Sequence, residues 1–305
     1  MTRPRTAHRA LVIATALTLG LVLAACGGSD GPTGDALVSE DRPQSDEATT
    51  TTEDPGETST DDLDEDDADS SAHDEAAADA LRQASMRSAE QPSARTTLSV
   101  EAGGEVVTAT DGIGNMAGTV FEGTTTIPGV GPAGYRLVDG VAYIEAPNLP
   151  NGATWMAISL DELSAQMGVD FGAQQDPGQA FRAAEVDGDV VELGPGEVDG
   201  VAATEYVLST TAEDLMERAV ESGAVSGAAA AMFSGPVDLH IWIDDDGLIR
   251  RVEYSLYVER GVTGMPMGDV TYEFTFSDYG VAVDGITAPA PETVISMADA
   301  MAVPN

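Results

Sequence analysis

The sequence predicts an α+β domain in which helices pack on one face of an antiparallel sheet, and three observations carry this. The final strands alternate strictly: Val237, Leu239, Ile241 and Ile243 share a face, as do Leu248, Arg250, Val252, Tyr254 and Leu256, and then Val270, Tyr272, Phe274 and Phe276. The residues between them, Asp238, His240, Glu253, Ser255, Thr271, Glu273 and Thr275, are polar, so one face is wet and the other covered. Helix-start signals fall between two groups of strands, the order of an α+β domain.

The elements follow in chain order. A first helix is expected over residues 74–90, with Leu81, Ala84, Ser85 and Ser88 at helical spacing and Gln91-Pro92 to stop it. Short alternating runs then read as strands at 97–102, 106–110, 116–121, 135–138, 141–146 and 154–158. Gly and Asp at 103–104, 111–114 and 139–140 read as the turns between them. Ser159-Leu160-Asp161-Glu162 has capping-box spacing, and Asp176-Pro177-Gly178-Gln179 offers an N-cap followed by Pro at the first helical position. Strands are expected at 190–193 and 202–208, and a fourth helix opens with Thr210 and Glu213 as its capping box and closes near Gly223.

Ahead of the domain, Arg3, Arg5 and Arg9 precede an apolar run over residues 10–23, which ends in Leu23-Ala24-Ala25-Cys26. Residues 1–25 therefore read as a secretory signal. The pattern resembles a bacterial lipobox, made by Leu23, Ala24 and Ala25, in which cleavage leaves Cys26 first and its sulfur carrying a diacylglyceryl group. Cys26 is the single cysteine of the chain, and a lone thiol in a secreted protein calls for such an explanation. Two acyl chains suffice for stable anchoring. The expected location is extracytoplasmic, held by lipid on the outer face of the cell membrane. Residues 26–73 are rich in Asp, Glu, Ser, Thr, Gly and Pro, and nineteen carboxylates face one cation, Arg42, between Asp30 and Asp79. Such a segment buries too little surface to offset chain ordering, so a disordered acidic tether is expected before a domain over 74–305.

The whole chain carries 53 Asp and Glu against 13 Lys and Arg, a formal net charge of −40. Nucleic acid recognition begins with a basic surface, so no nucleic-acid partner is expected. His240 is the one histidine of the domain, predicted on the wet face with no nucleophile near it in sequence, so it reads as a surface residue and no catalytic residue is assigned. Asp244-Asp245-Asp246-Gly247 lacks the spacing of a calcium loop and reads as a hairpin turn. The glycines of residues 112–118 have no Rossmann-type strand and helix around them and read as a further turn. No metal and no cofactor are expected.

Five segments resemble the LppX/LprAFG family of actinobacterial cell-envelope lipoproteins: Trp155 with Ile158 and Leu160, then residues 176–181, 198–206 and 237–251, and finally 276–280 followed by 288–291. The resemblance implies a strongly curved antiparallel sheet, a half-barrel, with helices against its concave face. It also implies an apolar cavity that accepts acyl chains of lipids or glycolipids, and no shared catalytic residues. The cavity candidates are Leu81, Phe181, Leu215, Leu239, Ile241, Val252, Tyr254, Tyr272 and Phe274. Two functions follow from these residues: a carrier of acyl chains, or a surface-displayed interaction or regulatory module whose core is filled and takes no ligand. The sequence names no protein partner.

Overall fold

The computed structural model describes residues 66–127, 130–167, 188–221, 225–259 and 267–302. It opens with helix α1 (Asp66–Ala89), followed by strands β1 (Ser93–Ala102), β2 (Glu105–Asn115), β3 (Val120–Ile127), β4 (Gly131–Val138), β5 (Val141–Glu145) and β6 (Trp155–Ser159). Helix α2 (Leu160–Met167) precedes the hairpin of β7 (Asp189–Val198) and β8 (Val201–Thr211). Helices α3 (Ala212–Glu221) and α4 (Gly227–Ala230) lead into β9 (Phe233–Ser234), β10 (Pro236–Asp244), β11 (Ile249–Val258) and β12 (Gly268–Ser277). The description ends with β13 (Val294–Ser296) and α5 (Met297–Ala302).

All thirteen strands of the described residues belong to one sheet in the order β13-β6-β5-β4-β3-β2-β1-β12-β11-β10-β8-β7, with β9 on β11. Every pairing is antiparallel except β13 with β6. The expectation of an α+β half-barrel is corrected accordingly: the described chain is mostly β, and the sheet is mixed, open and not strongly curled. Among the described residues β13 and β7 are the two ends of the strand path. The first and last groups of strands join where β1 pairs with β12, placing Val100 opposite Tyr272.

Several boundaries differ from those read in the sequence. Helix α1 starts at Asp66, inside the acidic segment assigned to the tether. Gly112 to Asn115 continue strand β2 instead of turning, and the expected strand at 116–121 begins only at Val120. Glycine in a strand permits close backbone approach, and Gly112 lies opposite Gly123 of β3. Helix α3 is capped by Thr211, not Thr210: its Oγ1 accepts the Asp214 amide at 3.2 Å and donates to Asp214 Oδ2 at 2.7 Å. The box at Ser159 is as read, with the Glu162 amide donating to Ser159 Oγ at 3.2 Å. The segment at 176–181, including Phe181, lies outside the described residues.

The β10–β11 hairpin forms around Asp244, whose Oδ1 accepts the amides of Asp246 and Leu248, both at 2.9 Å, while Oδ2 accepts Arg250 Nε at 2.5 Å. Helix α1 docks there: Ser88 Oγ accepts the Ile249 amide at 2.9 Å and Arg87 donates to the Asp246 carbonyl at 3.1 Å. Two apolar clusters pack on the sheet. The larger unites Leu81 of α1 and Leu215 of α3 with inward side chains of β1, β8 and β10 to β12. The smaller unites Tyr135, Leu137, Ile144, Met156 and Ile158 with Leu160 and Leu163 of α2.

Candidate functional site

Cross-strand register places Ile241, Val252, Phe274, Leu98, Thr110, Thr125 and Ala133 in one line across β10, β11, β12, β1, β2, β3 and β4. Residues opposite one another in a ladder point to the same face, so the line shows how that face is covered from one cluster to the other. Ile241 and Val252 are 0 % exposed at one end, and Thr125 (1 %) and Ala133 (8 %) are buried at the other. Between them Phe274, Leu98 and Thr110 are only half-buried. The covered face thus has a half-open strip at its centre, over β12, β1 and β2.

One side of the strip is aromatic. Tyr254 stacks on Tyr272 with ring centroids 5.2 Å apart and lies 6.5 Å from Phe274, each pair inclined by 18°. Offset ring pairs of this kind fix one another's orientation. The other side is built by the glycines read as a turn. A Cβ on Gly112 would stand 2.5 Å from Phe121 Cζ, and one on Gly114 2.9 Å from Phe121 Cδ2, so the Phe121 ring occupies the room these two glycines leave. Phe121 also meets Tyr135, with centroids 5.7 Å apart. The hydroxyls of Thr110 and Thr125 pair with each other at 3.1 Å, and Thr108 donates to the Thr126 carbonyl at 3.2 Å.

Tyr272 is an exception to this pairing. Its side chain is buried, at 5 % exposure, and its hydroxyl has no hydrogen-bond partner among the described residues. Burial pushes its pKa well above the usual tyrosine value, with the neighbouring Tyr254 adding to the effect. Burial raises Tyr254 likewise, so both rings stay neutral at physiological pH.

Of the sequence-predicted cavity residues, Leu81, Leu215, Leu239, Ile241, Val252 and Tyr272 are buried in the larger cluster, while Tyr254 and Phe274 pack against it half-buried. The structure brings these eight together; Phe181 lies outside the described residues, as do Leu23, Ala24, Ala25 and Cys26. Leu98, Thr110 and Phe121 escaped the sequence reading. The alternation in residues 97–102 pairs Leu98 with Val100 on one face, but which face, and against which strand, depends on the distant pairing with β12.

The opposite face of the sheet is polar and internally paired. His240 Nδ1 lies 2.8 Å from Glu205 Oε1 and its ring stacks on Trp242 at 6.0 Å, as expected for a surface histidine with local partners. Arg251 covers the same indole at 4.8 Å and pairs with Glu253 and Glu273. Among the described residues, no group of three or more His, Cys, Asp or Glu side chains could hold a metal ion, and no helix is long and apolar enough to cross a membrane.

No protein-family model matches the chain, and no curated protein does. Solved structures similar to it include LprF from Mycobacterium bovis, at 13 % identity and a TM-score of 0.48 over 71 % of this chain and 97 % of that one. The Mycobacterium tuberculosis lipoprotein LppX is similar at 15 % identity and a TM-score of 0.47, over 69 % of this chain and 100 % of the other. MucB is similar at 16 % identity and a TM-score of 0.34, over 71 % of this chain and 64 % of its own.

Proposed function

We propose that the protein is a cell-envelope lipoprotein that holds acyl chains of a lipid or glycolipid along the half-open strip. One observation carries the reading: the line from Val252 to Thr125 is sealed at both ends and half-buried at Phe274, Leu98 and Thr110, all on the face that helices otherwise cover. Burying a methylene contributes about 0.8 kcal/mol, so a chain of ten methylenes gains about 8 kcal/mol against the costs of association. Leu239, Ile241 and Val252 support the strip as packed backing, and Tyr254, Tyr272 and Phe274 border the chain. No nucleophile or general base enters this reading, which is binding without chemistry.

A filled-core interaction module is the competing reading, and full burial of Leu239, Ile241 and Val252 favours it. Leu98→Trp separates the two. The new indole occupies the strip, so binding of a fluorescent acyl probe should fall at least tenfold while the melting temperature shifts by only a few degrees. In a filled core the same change overpacks and costs about 1 to 3 kcal/mol. A variant that loses stability on that scale, from a wild type that binds no probe, would establish the module instead.

Anchoring completes the proposal: Cys26 bears the acyl groups and the acidic segment after it holds the domain away from anionic headgroups, which repel it. Cys26→Ser should move the protein from the membrane to the soluble or unprocessed fraction. Retention in the membrane with unchanged mass and processing would remove Cys26 from the account.

A further inference from the structure

We infer that the hydroxyl of Tyr272, unpartnered among the described residues, is a ligand-recognition group, which donates a hydrogen bond to a neutral acceptor, an ester carbonyl, on a chain lying in the strip. The inference rests on the carrier reading and adds the chemical class: an acyl ester in preference to a plain hydrocarbon or a free carboxylate. Buried polar groups in folded proteins are almost always paired, and each exception needs a reason. Here the exception occurs beside the half-open strip of the covered face. Tyr272 stacks on the half-buried Tyr254 and precedes the half-buried Phe274 by two residues on the same face of β12. Val100, the Tyr272 partner on β1, is buried, and its neighbour along that face, Leu98, belongs to the strip.

The direction of the bond follows from the surroundings. The neutral hydroxyl can donate, and none of the aligned neighbours Val100, Tyr254, Leu98, Phe274 or Val252 carries a charge. A carboxylate brought there would lose its hydration with no cation to replace it, whereas an ester carbonyl loses far less. An alkane would leave the hydroxyl as it stands, unpaired. Sites built around one buried donor discriminate in this way, because the wrong ligand leaves the donor unsatisfied.

The experiment compares the full-length protein with its Tyr272→Phe variant, using displacement of anilinonaphthalene sulfonate by methyl decanoate, tridecane and decanoate. Wild type should bind methyl decanoate about tenfold more tightly than the variant does, a difference equal to about 1.4 kcal/mol. Tridecane should bind both proteins alike, and decanoate should bind both more weakly than its methyl ester. Equal affinity of both proteins for the ester, with tridecane still bound, overturns the role of Tyr272 and leaves the carrier reading standing. Failure of every probe to bind the wild type overturns both. Thermal unfolding without ligand gives an independent check: removing an unsatisfied hydroxyl should leave the variant as stable as wild type or more so. A variant that melts several degrees lower would show that the hydroxyl already has a partner within the chain, and the inference would fail.

Discussion

Gly123→Val is expected to destabilise the domain by about 3 kcal/mol or more, because the new side chain meets the backbone of the neighbouring strand β2. A Cβ at this position would lie 2.7 Å from the Gly112 Cα and closer still to the Asp111 carbonyl oxygen, and neither can move without separating β2 from β3. The Phe121 ring closes the remaining room over Gly112. For a domain of this size a loss of 3 kcal/mol corresponds to a melting temperature lower by roughly 6 to 12 °C. Thermal or urea unfolding measures it. A variant within one degree of wild type would mean that the Gly112–Gly123 pairing is not the tight junction described, and the strip would lose that wall.

Asp244→Ala is the second large effect. The carboxylate side chain is 3 % exposed and accepts from three donors at one hairpin, the Asp246 and Leu248 amides and Arg250, and so shapes the loop that meets Arg87 and Ser88 of α1. Truncation leaves the Arg250 guanidinium, 16 % exposed, half-buried beside Tyr279 without its counter-charge. Breaking a buried pair by deleting one member costs about 3 to 5 kcal/mol. Urea unfolding should show that loss, and proteolysis within α1 should accelerate, since the helix is held at this loop. Wild-type stability in the variant would mean that α1 docks through its apolar side alone, by Leu81 and Ala84.

The alternating strands were legible in the sequence because one wet and one covered face impose a period of two. Val237 to Ile243, Val252 to Leu256 and Val270 to Phe276 all fall in strands with the predicted faces. Helix starts at Ser159 and near Thr211 were legible through their caps. The glycine-rich residues 112–115 were not, since turn and strand both accept glycine, and the choice is made by Gly123 and Phe121 of the next strand. Strand β13 was hidden for a different reason: three residues carry no periodicity, and their partner, β6, is remote in the chain. The candidate site shows the same division. Alternation identified Tyr254, Tyr272 and Phe274 as inward, but their exposure, and the place of Leu98 between Phe274 and Thr110, follow from the β1–β12 register that joins the two halves of the sheet.

The most direct test of acyl-chain binding is mass spectrometry of lipid extracted by organic solvent from the full-length protein after purification in mild detergent. Acyl groups on Cys26 are covalent and stay with the polypeptide, so the extract reports only what the strip holds. The carrier reading predicts ester-containing acyl lipid at close to one molecule per chain, depleted in the Leu98→Trp variant prepared in parallel. An extract without acyl lipid, or one of identical lipid content from both proteins, would contradict it.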